Sequence, residues 1–321
     1  MQILKKVSWK TMVLNLYVFS ILALIVIIFS SVSLKFIGVP NITNILRQSV
    51  PALLIGCSIT LLMFTNHIDL SVGGIVGLSS VVFALLLKSG CGFFWAAVLA
   101  LTVGVLVGYI NGFLVMKLRI VPVIATLATM NLTIGLGKLL SPPGVGMIKG
   151  LPSDTVGFAR TPFLLKLPMS VYVAVLVIAI LIILHKRTAL GKYALSIGGN
   201  KTAAELSGIN TVKTVWVLYI IAGVCAALAG ITRTSLLSLG DPTTGMGMET
   251  DAMIAVVLGG TSFTGGEGSV FRTIIGVLIL MVMTAGMQVI GIESFWQNLV
   301  KGIVMVVALA INSLVKEKIV E

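Results

Sequence analysis

Ten apolar runs separated by short polar connections constrain this chain more strongly than any other feature. A helix that crosses a lipid bilayer needs about 20 predominantly apolar residues, so ten of them take roughly 200 residues. The chain has 321 residues, which leaves room only for connections and one or two modest loops. We therefore predict an all-α polytopic membrane protein with about ten transmembrane helices, in one domain over residues 1–321. The runs lie at about 12–32, 50–65, 71–88, 93–116, 121–140, 169–185, 213–235, 250–262, 270–290 and 295–315.

The composition excludes several classes of protein. Hydrophobic residues make up 58% of the chain and charged residues only 10%, and the mean hydropathy is +1.14. A soluble domain carries about 25% charged residues, so this chain has too few charges to cover a surface that faces water. We exclude a soluble enzyme, a disordered tail and a nucleic-acid reader.

The basic residues predict the orientation of the helices. The chain carries 22 Lys and Arg against 10 Asp and Glu, a net charge of +12, and cytoplasmic loops of membrane proteins collect Lys and Arg. With both termini in the cytoplasm, 13 basic residues lie in inner segments and 9 in outer ones. The outer count includes the long loop at about 141–168, which counts for less. We expect an N-in/C-in arrangement, and we attribute the excess charge to it rather than to a polyanionic partner.

Two of the runs depart from a standard span. The first follows three lysines and is longer than the apolar core of about 7–15 residues of a secretory signal peptide. Although Ser31-x-Ser33 is a small-x-small cleavage pattern, we expect an uncleaved first span. The run at 250–262 is too short to cross as a straight helix, and we expect it to belong to a broken or re-entrant element.

Glycines recur inside the apolar runs. Gly104, Gly108 and Gly112 are spaced four apart, so they lie on nearly one face of a helix. Small residues let membrane helices approach closely, and we interpret this stripe as packing within the chain, in preference to a dimer interface or a substrate path. The long loop begins with Ser141-Pro142-Pro143-Gly144-Val145-Gly146, which predicts an irregular hairpin.

Three polar segments interrupt the apolar background, and the first is Thr65-Asn66-His67-Ile68-Asp69-Leu70-Ser71-Val72-Gly73-Gly74. Ionisable residues within or at the edge of a membrane are costly and usually functional. We expect the Asp69 and Ser71 oxygens to cap a helix that starts near Val72. The alternative is a proton relay or acid–base pair of His67 and Asp69. A catalytic or metal-binding His67 is disfavoured because no third ligand is evident.

The second polar segment is the connection at about 186–213. Asn200 is placed to cap a short helix over about 201–207, and Gly208 to end that helix in the left-handed conformation. A short helix in a positively charged cytoplasmic loop suits the docking of another protein. A solvated connection without a partner explains the same residues, and the sequence alone leaves both readings open.

The third polar segment holds four of the ten acidic residues, between Asp241 and Glu267. Glu249 and Asp251 are placed to favour the N-terminal end of a half-helix through its dipole. A pair of carboxylates that binds a cation or shuttles protons is the alternative. Gly265-Gly266-Glu267-Gly268 is a glycine-rich turn.

The sequence lacks the patterns of an enzyme or a nucleotide site. No GxxxxGK[ST] phosphate-binding pattern occurs, so we do not expect this chain to bind ATP. Cys57, Cys91 and Cys225 are odd in number and have no CxxC spacing, which disfavours metal and disulfide roles. We expect no catalytic residue, no metal site and no cofactor.

At these segments the sequence resembles the permease subunits of bacterial ribose-type ATP-binding-cassette (ABC) importers, a family that includes permeases for ribose, xylose, galactose, inositol and autoinducer-2. The similar motifs occur in order from about residue 66 to residue 268. Two positions depart from the family pattern, because Asn66-His67 replaces two glycines and Phe271-Arg272 replaces smaller residues. The motifs are Ile68–Gly73, Val121–Leu127, Gly191–Ala194, Gly198–Asn200, Ala203–Ile209, Glu249–Ala252, Val256–Ser262 and Gly265–Gly268.

The resemblance implies a non-catalytic subunit of a transport complex in the bacterial cytoplasmic (inner) membrane. A cytoplasmic ABC ATPase would bind ATP and dock on the coupling helix, an extracytoplasmic solute-binding protein would deliver a sugar-like solute, and a second permease copy or paralogue would complete the path. The implied coupling residues are Gly199, Asn200, Ala203, Ala204, Glu205, Leu206, Ser207, Gly208 and Ile209. The implied structural or gating residues are Asp69, Ser71, Gly73, Glu249, Asp251, Gly259, Gly260, Gly265 and Gly266.

Two rival functions remain at this point. An ion-coupled secondary transporter of small solutes would use Asp69, Glu249 and Asp251, but acidic residues are missing from the centres of the long spans. An intramembrane enzyme would use His67 and Asp69, but no nucleophile or metal constellation accompanies them.

Overall fold

The computed structural model describes residues 2–320, and the side chains of residues 16, 18–153, 155 and 157–310. Each of the ten apolar runs corresponds to one helix. The helices at these runs are α1 (Gln2–Val32), α2 (Val39–Met63), α3 (Val72–Lys88), α4 (Phe93–Met116), α5 (Pro122–Leu140), α7 (Met169–Arg187), α10 (Thr211–Leu237), α11 (Met248–Leu258), α12 (Val270–Val289) and α13 (Ser294–Val320). The helices in the connections are α6 (Ser153–Arg160), α8 (Ala189–Gly199), α9 (Lys201–Leu206) and a 3₁₀ turn at Leu34–Ile37.

Among the residues whose side chains are described, six helices are long and apolar enough to cross a membrane, namely α2, α4, α5, α7, α10 and α12. The apolar windows of α2, α10 and α12 are mostly buried inside the protein, whereas those of α4, α5 and α7 mostly face outwards. Because lipid is as apolar as a protein core, outward-facing apolar side chains are expected in a membrane protein. The chain is therefore a helical polytopic membrane protein with α2 and α10 near its centre.

The second helix begins earlier than its apolar run indicates. The run starts at about residue 50, but α2 starts at Val39 and includes Pro51 in its interior. Pro40 lies in the first turn, where its missing N–H group would have no helical partner. The Thr43 hydroxyl donates to the Val39 carbonyl, so a polar side chain is satisfied by the helix itself. The first part of α2 is helical although its residues are too polar to be recognised as an apolar run.

The glycine stripe joins α4 to α10. A methyl group on Gly104 would strike the Gly223 carbonyl, one on Gly108 the Tyr219 carbonyl, and one on Gly112 the Trp216 indole ring. The Trp216 indole N–H donates to the Tyr109 carbonyl at 3.0 Å, which fixes the same pair of helices. The stripe is a packing surface within the chain, so that prediction is confirmed.

The segment between α5 and α7 contains more regular structure than predicted. It begins with the predicted irregular turn, in which the Gly146 N–H donates to the Pro142 carbonyl at 3.1 Å. The helix α6 follows, and then a two-stranded antiparallel ladder of β1 (Pro162–Leu164) and β2 (Leu167–Pro168). This ladder is a small departure from an all-α chain.

The close packing of α4 on α10 yields a stability prediction. We expect Gly108→Ala to lower the melting temperature of the detergent-purified protein, because the new methyl group meets the backbone of Tyr219 and Ile220, and overpacking of this kind costs about 1–3 kcal/mol. Gly135→Ala is the matched control, since Gly135 of α5 has no atom within 4 Å of its Cβ position. Equal melting temperatures for the two variants would contradict the proposed packing role.

Candidate functional site

The three polar segments converge on one end of the helix bundle. The Gly266 N–H donates to the Phe64 carbonyl at 3.0 Å. A methyl group on Gly198, at the end of α8, would strike both the Phe64 carbonyl and the Gly266 nitrogen. We call this meeting of Phe64, Gly198 and Gly266 the backbone junction. It brings together the α2–α3 connection, the α8–α9 element and the glycine-rich turn after α11.

Asp69, in the connection between α2 and α3, is the centre of a buried polar network. Its Oδ1 atom accepts hydrogen bonds from the Ser71 N–H at 2.8 Å and from the Ser71 hydroxyl at 2.6 Å. The Asn111 side-chain amide of α4 donates to the Ser71 Oγ at 2.7 Å, and the Thr129 hydroxyl of α5 donates to Asn111 Oδ1 at 2.7 Å. These four side chains are buried, so the network ties three elements together inside the protein.

Burial sets the ionisation of Asp69. Loss of solvent raises the pKa of its carboxyl group to about 6, against the opposing effect of the hydrogen bonds from Ser71 and Asn111. A buried carboxylate without counter-charge is disfavoured, and the donors around Asp69 offset only part of that cost. Asp69 is thus a polar group held mainly by neutral hydrogen-bond donors.

The predicted cap on α3 is formed in part. The helix does begin at Val72 with Ser71 at the capping position, but the Ser71 side chain accepts no hydrogen bond from the N–H groups of the first turn. Asp69 accepts from the N–H of Ser71 itself, and the Ser71 hydroxyl is already engaged with Asp69 and Asn111. The Asp69 carboxylate thus accepts from the N–H group just before the helix, and Asn111 of α4 adds a long-range partner.

His67 lies apart from this network. Its Nδ1 atom is 2.8 Å from the Thr65 carbonyl and 3.0 Å from the Thr65 hydroxyl, and its ring packs edge-on against Tyr219. Burial lowers the pKa of His67, which favours a neutral ring. Among the described residues His67 makes no hydrogen bond to Asp69, so the proposed acid–base pair is not formed in this structure.

The helix after Asn200 is formed as predicted. The Asn200 Oδ1 atom accepts from the Ala203 N–H at 3.0 Å, and Gly208 follows α9 with a positive φ of 81°. Ala204 is buried, whereas Leu206 is 85% exposed. The Thr211 hydroxyl donates to Glu205 Oε1 at 2.9 Å, which ties α9 to the start of α10. The result is a rigid surface with an apolar side chain at its tip.

The remaining members of the coupling set lie on this same element. The Ser207 hydroxyl donates to the Ala203 carbonyl at 2.8 Å, and the Ile209 N–H donates to the Ala204 carbonyl at 3.1 Å. Gly199 is exposed at the end of α8. The predicted coupling residues therefore form one continuous feature.

The run at 250–262 belongs to a broken element, as predicted. Before α11 the chain is irregular from Ser238 to Gly247 and runs against α3: Gly240 packs on Ala84, the Pro242 carbonyl on Gly77, and Gly245 on the Gly73 carbonyl. Irregular backbone is tolerated at membrane depth where protein buries it. The segment and α11 together are long enough to replace one straight helix.

The two carboxylates at the start of α11 have separate partners. Glu249 Oε1 accepts from the Gly247 N–H at 3.1 Å, and its carboxylate packs on Gly73, where a methyl group would strike it. Asp251 forms an ion pair with Lys301 of α13 at 2.8 Å. Both lie in the first turn, in agreement with the dipole reading. Within the described part of the chain no cluster of His, Cys, Asp and Glu could hold a metal ion.

The turn after α11 depends on glycine. Gly260, Gly265 and Gly266 have positive φ values of 71°, 76° and 75°, which L-residues with a side chain rarely adopt. The buried Arg272 donates from Nε to the Gly259 carbonyl at 2.9 Å, so a guanidinium group satisfies the C-terminal end of α11. Arg272 departs from the expected pattern and here has a structural partner.

Sequence reasoning missed Asn111 and Thr129. Asn111 is a lone amide within the apolar run of α4, and that isolation was an available signal. Its partner Asp69 is 42 residues away, so only the fold identifies the interaction. Sequence reasoning also missed the ion pair of Lys301 with Asp251, which links residues 50 apart.

We expect the stability of the protein to depend on pH through Asp69. The pKa of about 6 in the folded protein lies above the ordinary aspartate pKa of 3.8, so the stabilisation present with the neutral carboxyl group is lost as pH rises through about 6. Melting temperatures measured from pH 4 to pH 8 should fall more steeply for the native protein than for Asp69→Asn, which cannot ionise. Parallel curves would show that Asp69 does not titrate differently in the folded state.

Comparison with known proteins gives one family. The family described as "Branched-chain amino acid transport system / permease component" matches residues 41–309. A ribose import permease protein of Bacillus subtilis (strain 168) is 39% identical over 293 residues, 91% of this chain and 90% of the relative. A D-allose transport system permease protein of Escherichia coli (strain K12) is 37% identical over 301 residues, 93% of this chain and 91% of the relative.

A more distant relative has a different named sugar. A galactose/methyl galactoside import permease protein of Salmonella typhimurium (strain LT2) is 31% identical over 317 residues, 94% of each chain. No solved structure matched. The similarity therefore extends over nearly the whole length of every one of these three relatives.

Proposed function

The chain belongs to the family of branched-chain amino acid transport system permease components, and from this premise we propose that it forms the membrane path of a bacterial ABC importer for a sugar or sugar-like solute. It is a multi-pass permease of the inner membrane. A separate ATPase subunit drives it, and a solute-binding protein supplies it. In this proposal the chain itself has no catalytic role and needs no cofactor of its own, because ATP is bound by the partner.

The single observation that supports a sugar as the solute is the set of solutes for which the relatives are named. The family description names branched-chain amino acids, but the relatives at 31–39% identity are named for ribose, D-allose and galactose. Similarity over more than nine-tenths of this chain supports the same class of solute. Which sugar is carried is a matter for the transport assay below.

Ten crossings follow if the broken element counts as one. Six helices qualify by length and composition, and the shorter apolar helices Val18–Val32, Val72–Lys88 and Ser294–Ala310 add three. The irregular segment 238–247 with α11 supplies the tenth. An even number places both termini on one side, and the distribution of basic residues favours the cytoplasm. We propose this N-in/C-in topology.

We propose that the ATPase docks on α9 and its flanks. The supporting observation is a helix of six residues that is capped, fixed to α10 through Glu205 and exposes Leu206. An exposed apolar side chain on a rigid support is suited to fill a pocket in a partner. The docking residues are Gly199, Asn200, Ala203, Ala204, Glu205, Leu206, Ser207, Gly208 and Ile209.

We further propose that movement of the docked helix reaches the path through the backbone junction. Gly198 joins α8 to both the α2–α3 connection, which carries Asp69 and Ser71, and the turn after α11. Glu249 and Asp251 lie at the other end of α11. A second permease copy or a paralogue would face this chain across the path. The gating residues are Asp69, Ser71, Gly73, Glu249, Asp251, Gly259, Gly260, Gly265 and Gly266.

Transport in reconstituted vesicles tests the function. We expect uptake of radiolabelled D-ribose, D-allose or D-galactose to require ATP, the ATPase and the solute-binding protein together, because the chain has no nucleotide-binding motif. The permease alone should not hydrolyse ATP. Uptake driven by a proton or sodium gradient without ATP would reject the importer and support an ion-coupled transporter.

Docking of the ATPase makes a separate prediction. We expect Leu206→Ser to weaken ATPase binding at least tenfold, as loss of a buried anchor residue costs about 2 kcal/mol, with the melting temperature unchanged. Leu165→Ser is the matched control, since Leu165 is 81% exposed but lies between β1 and β2 at the opposite end of the bundle. Binding is measured by surface plasmon resonance with the permease in lipid nanodiscs. Equal affinities would refute docking at α9.

A further inference from the structure

A polar cavity of about 620 Å³ lies between α2, the end of α10, the start of α11, α12 and α13. It is separate from the Asp69 network and from the coupling element. A volume of several hundred Å³ is the usual size of a small-molecule site. Its wall contains charged and neutral polar groups, although it lies in a membrane-spanning region. These groups indicate that the cavity binds a polar ligand.

Arg233 is the most informative group in the wall. It belongs to α10 and is half-buried, although a charged side chain within a span is costly and usually functional. Among the residues that the structure describes, its Nε atom has no hydrogen-bond partner although it is shielded from solvent. A guanidinium N–H in that position is available to a ligand oxygen.

Two threonine hydroxyls in the wall are also buried without a hydrogen-bond partner among the described residues. Thr244, in the irregular segment, and Thr284, in α12, line the cavity. The Oγ1 atoms of both are buried and find no partner within the described part of the protein. Buried polar atoms are normally paired, because an unpaired one costs free energy. Three such atoms belong to residues that line one cavity, and a ligand with hydroxyl groups in that cavity would supply partners for them.

The rest of the wall defines the chemistry of that ligand. The Asp251–Lys301 ion pair lines the cavity and supplies an acceptor and a donor with no net charge. Gln48 and Asn298 add amides that both donate and accept. Among the described residues that line the cavity none is aromatic, so recognition there depends on hydrogen bonds and apolar contact. Donors and acceptors on several sides match the hydroxyl groups of a polyol.

We propose that this cavity is a binding site for a neutral polyhydroxylated solute, with Arg233, Thr244 and Thr284 as its hydrogen-bonding groups. The inference rests on the proposed function and assigns the residues that hold the solute during passage. The ion pair closes one side of the site and the methionines of α12 and α13, Met281 and Met305, form an adaptable apolar wall.

The experiment measures solute moved per ATP hydrolysed. The complete transporter is reconstituted with its ATPase and binding protein, and uptake of D-ribose, D-allose and D-galactose is recorded together with ATP hydrolysis. We expect Thr284→Val and Thr244→Val each to lower the ratio of sugar taken up to ATP hydrolysed by about fivefold to tenfold, the effect of one lost hydrogen bond. A variant with a folding defect would lose both activities in proportion and keep the ratio.

Thr102→Val is the matched control. Thr102 is an exposed threonine of α4 whose hydroxyl bonds the Leu99 carbonyl of its own helix, and its replacement should leave the ratio unchanged. Arg233→Gln tests the guanidinium group and should also lower the ratio. Unchanged ratios in the threonine variants and in Arg233→Gln would overturn the site while leaving the proposed function intact.

Two results with the native protein decide the solute class. Failure to take up any of the three sugars with ATP would overturn the proposed function and this inference with it. ATP-driven uptake of D-gluconate in place of the sugars would overturn the neutral class, because Arg233 would then act as a counter-ion. Uptake of a neutral sugar that D-gluconate does not inhibit supports the proposal.

Discussion

The need to satisfy every backbone polar group within the protein controls this structure more than any side-chain interaction. In hydrocarbon an unpaired N–H or C=O group costs several kcal/mol, so straight helices are the default for crossing. The chain has irregular backbone in the buried connection between α2 and α3, and it departs from the straight-helix default between α10 and α11. At the second break, α3 and its neighbours cover the irregular backbone, and small residues make that cover close enough. The broken helices thus exist because glycines allow protein to take the place of lipid.

The two breaks also explain where polar side chains accumulate. Asp69 and Ser71 lie in one break, and Glu249 and Asp251 lie at the end of the other. Each acidic group has a dedicated partner on a different helix or in the adjacent backbone, so the polar residues fix the relative positions of packed elements. A network of this kind is rigid when all its members are paired. The interior therefore combines irregular backbone with specific side-chain hydrogen bonds.

Local features were predictable from the sequence, and long-range pairs were not. The helix at Asn200 could be predicted because its cap, its small size and its terminating Gly208 all act within nine residues. The start of α2 could not, because Pro40, Asn41 and Arg47 lower the apolarity of a segment that is nevertheless helical. The Asp69 partners were assigned to the nearest helix end, whereas the fold supplies Asn111 from α4. Distance along the chain, more than residue type, set the limit of prediction.

The backbone junction has a consequence for how such proteins diverge. Its contacts are made by the peptide groups of Phe64 and Gly266 and by a glycine with no side chain. Main-chain atoms are the same in every sequence, so a joint built from them keeps its shape while the surrounding walls change. A lineage can then alter the side chains that line its cavities without rebuilding this joint. The backbone junction and the cavity walls are therefore free to evolve at different rates.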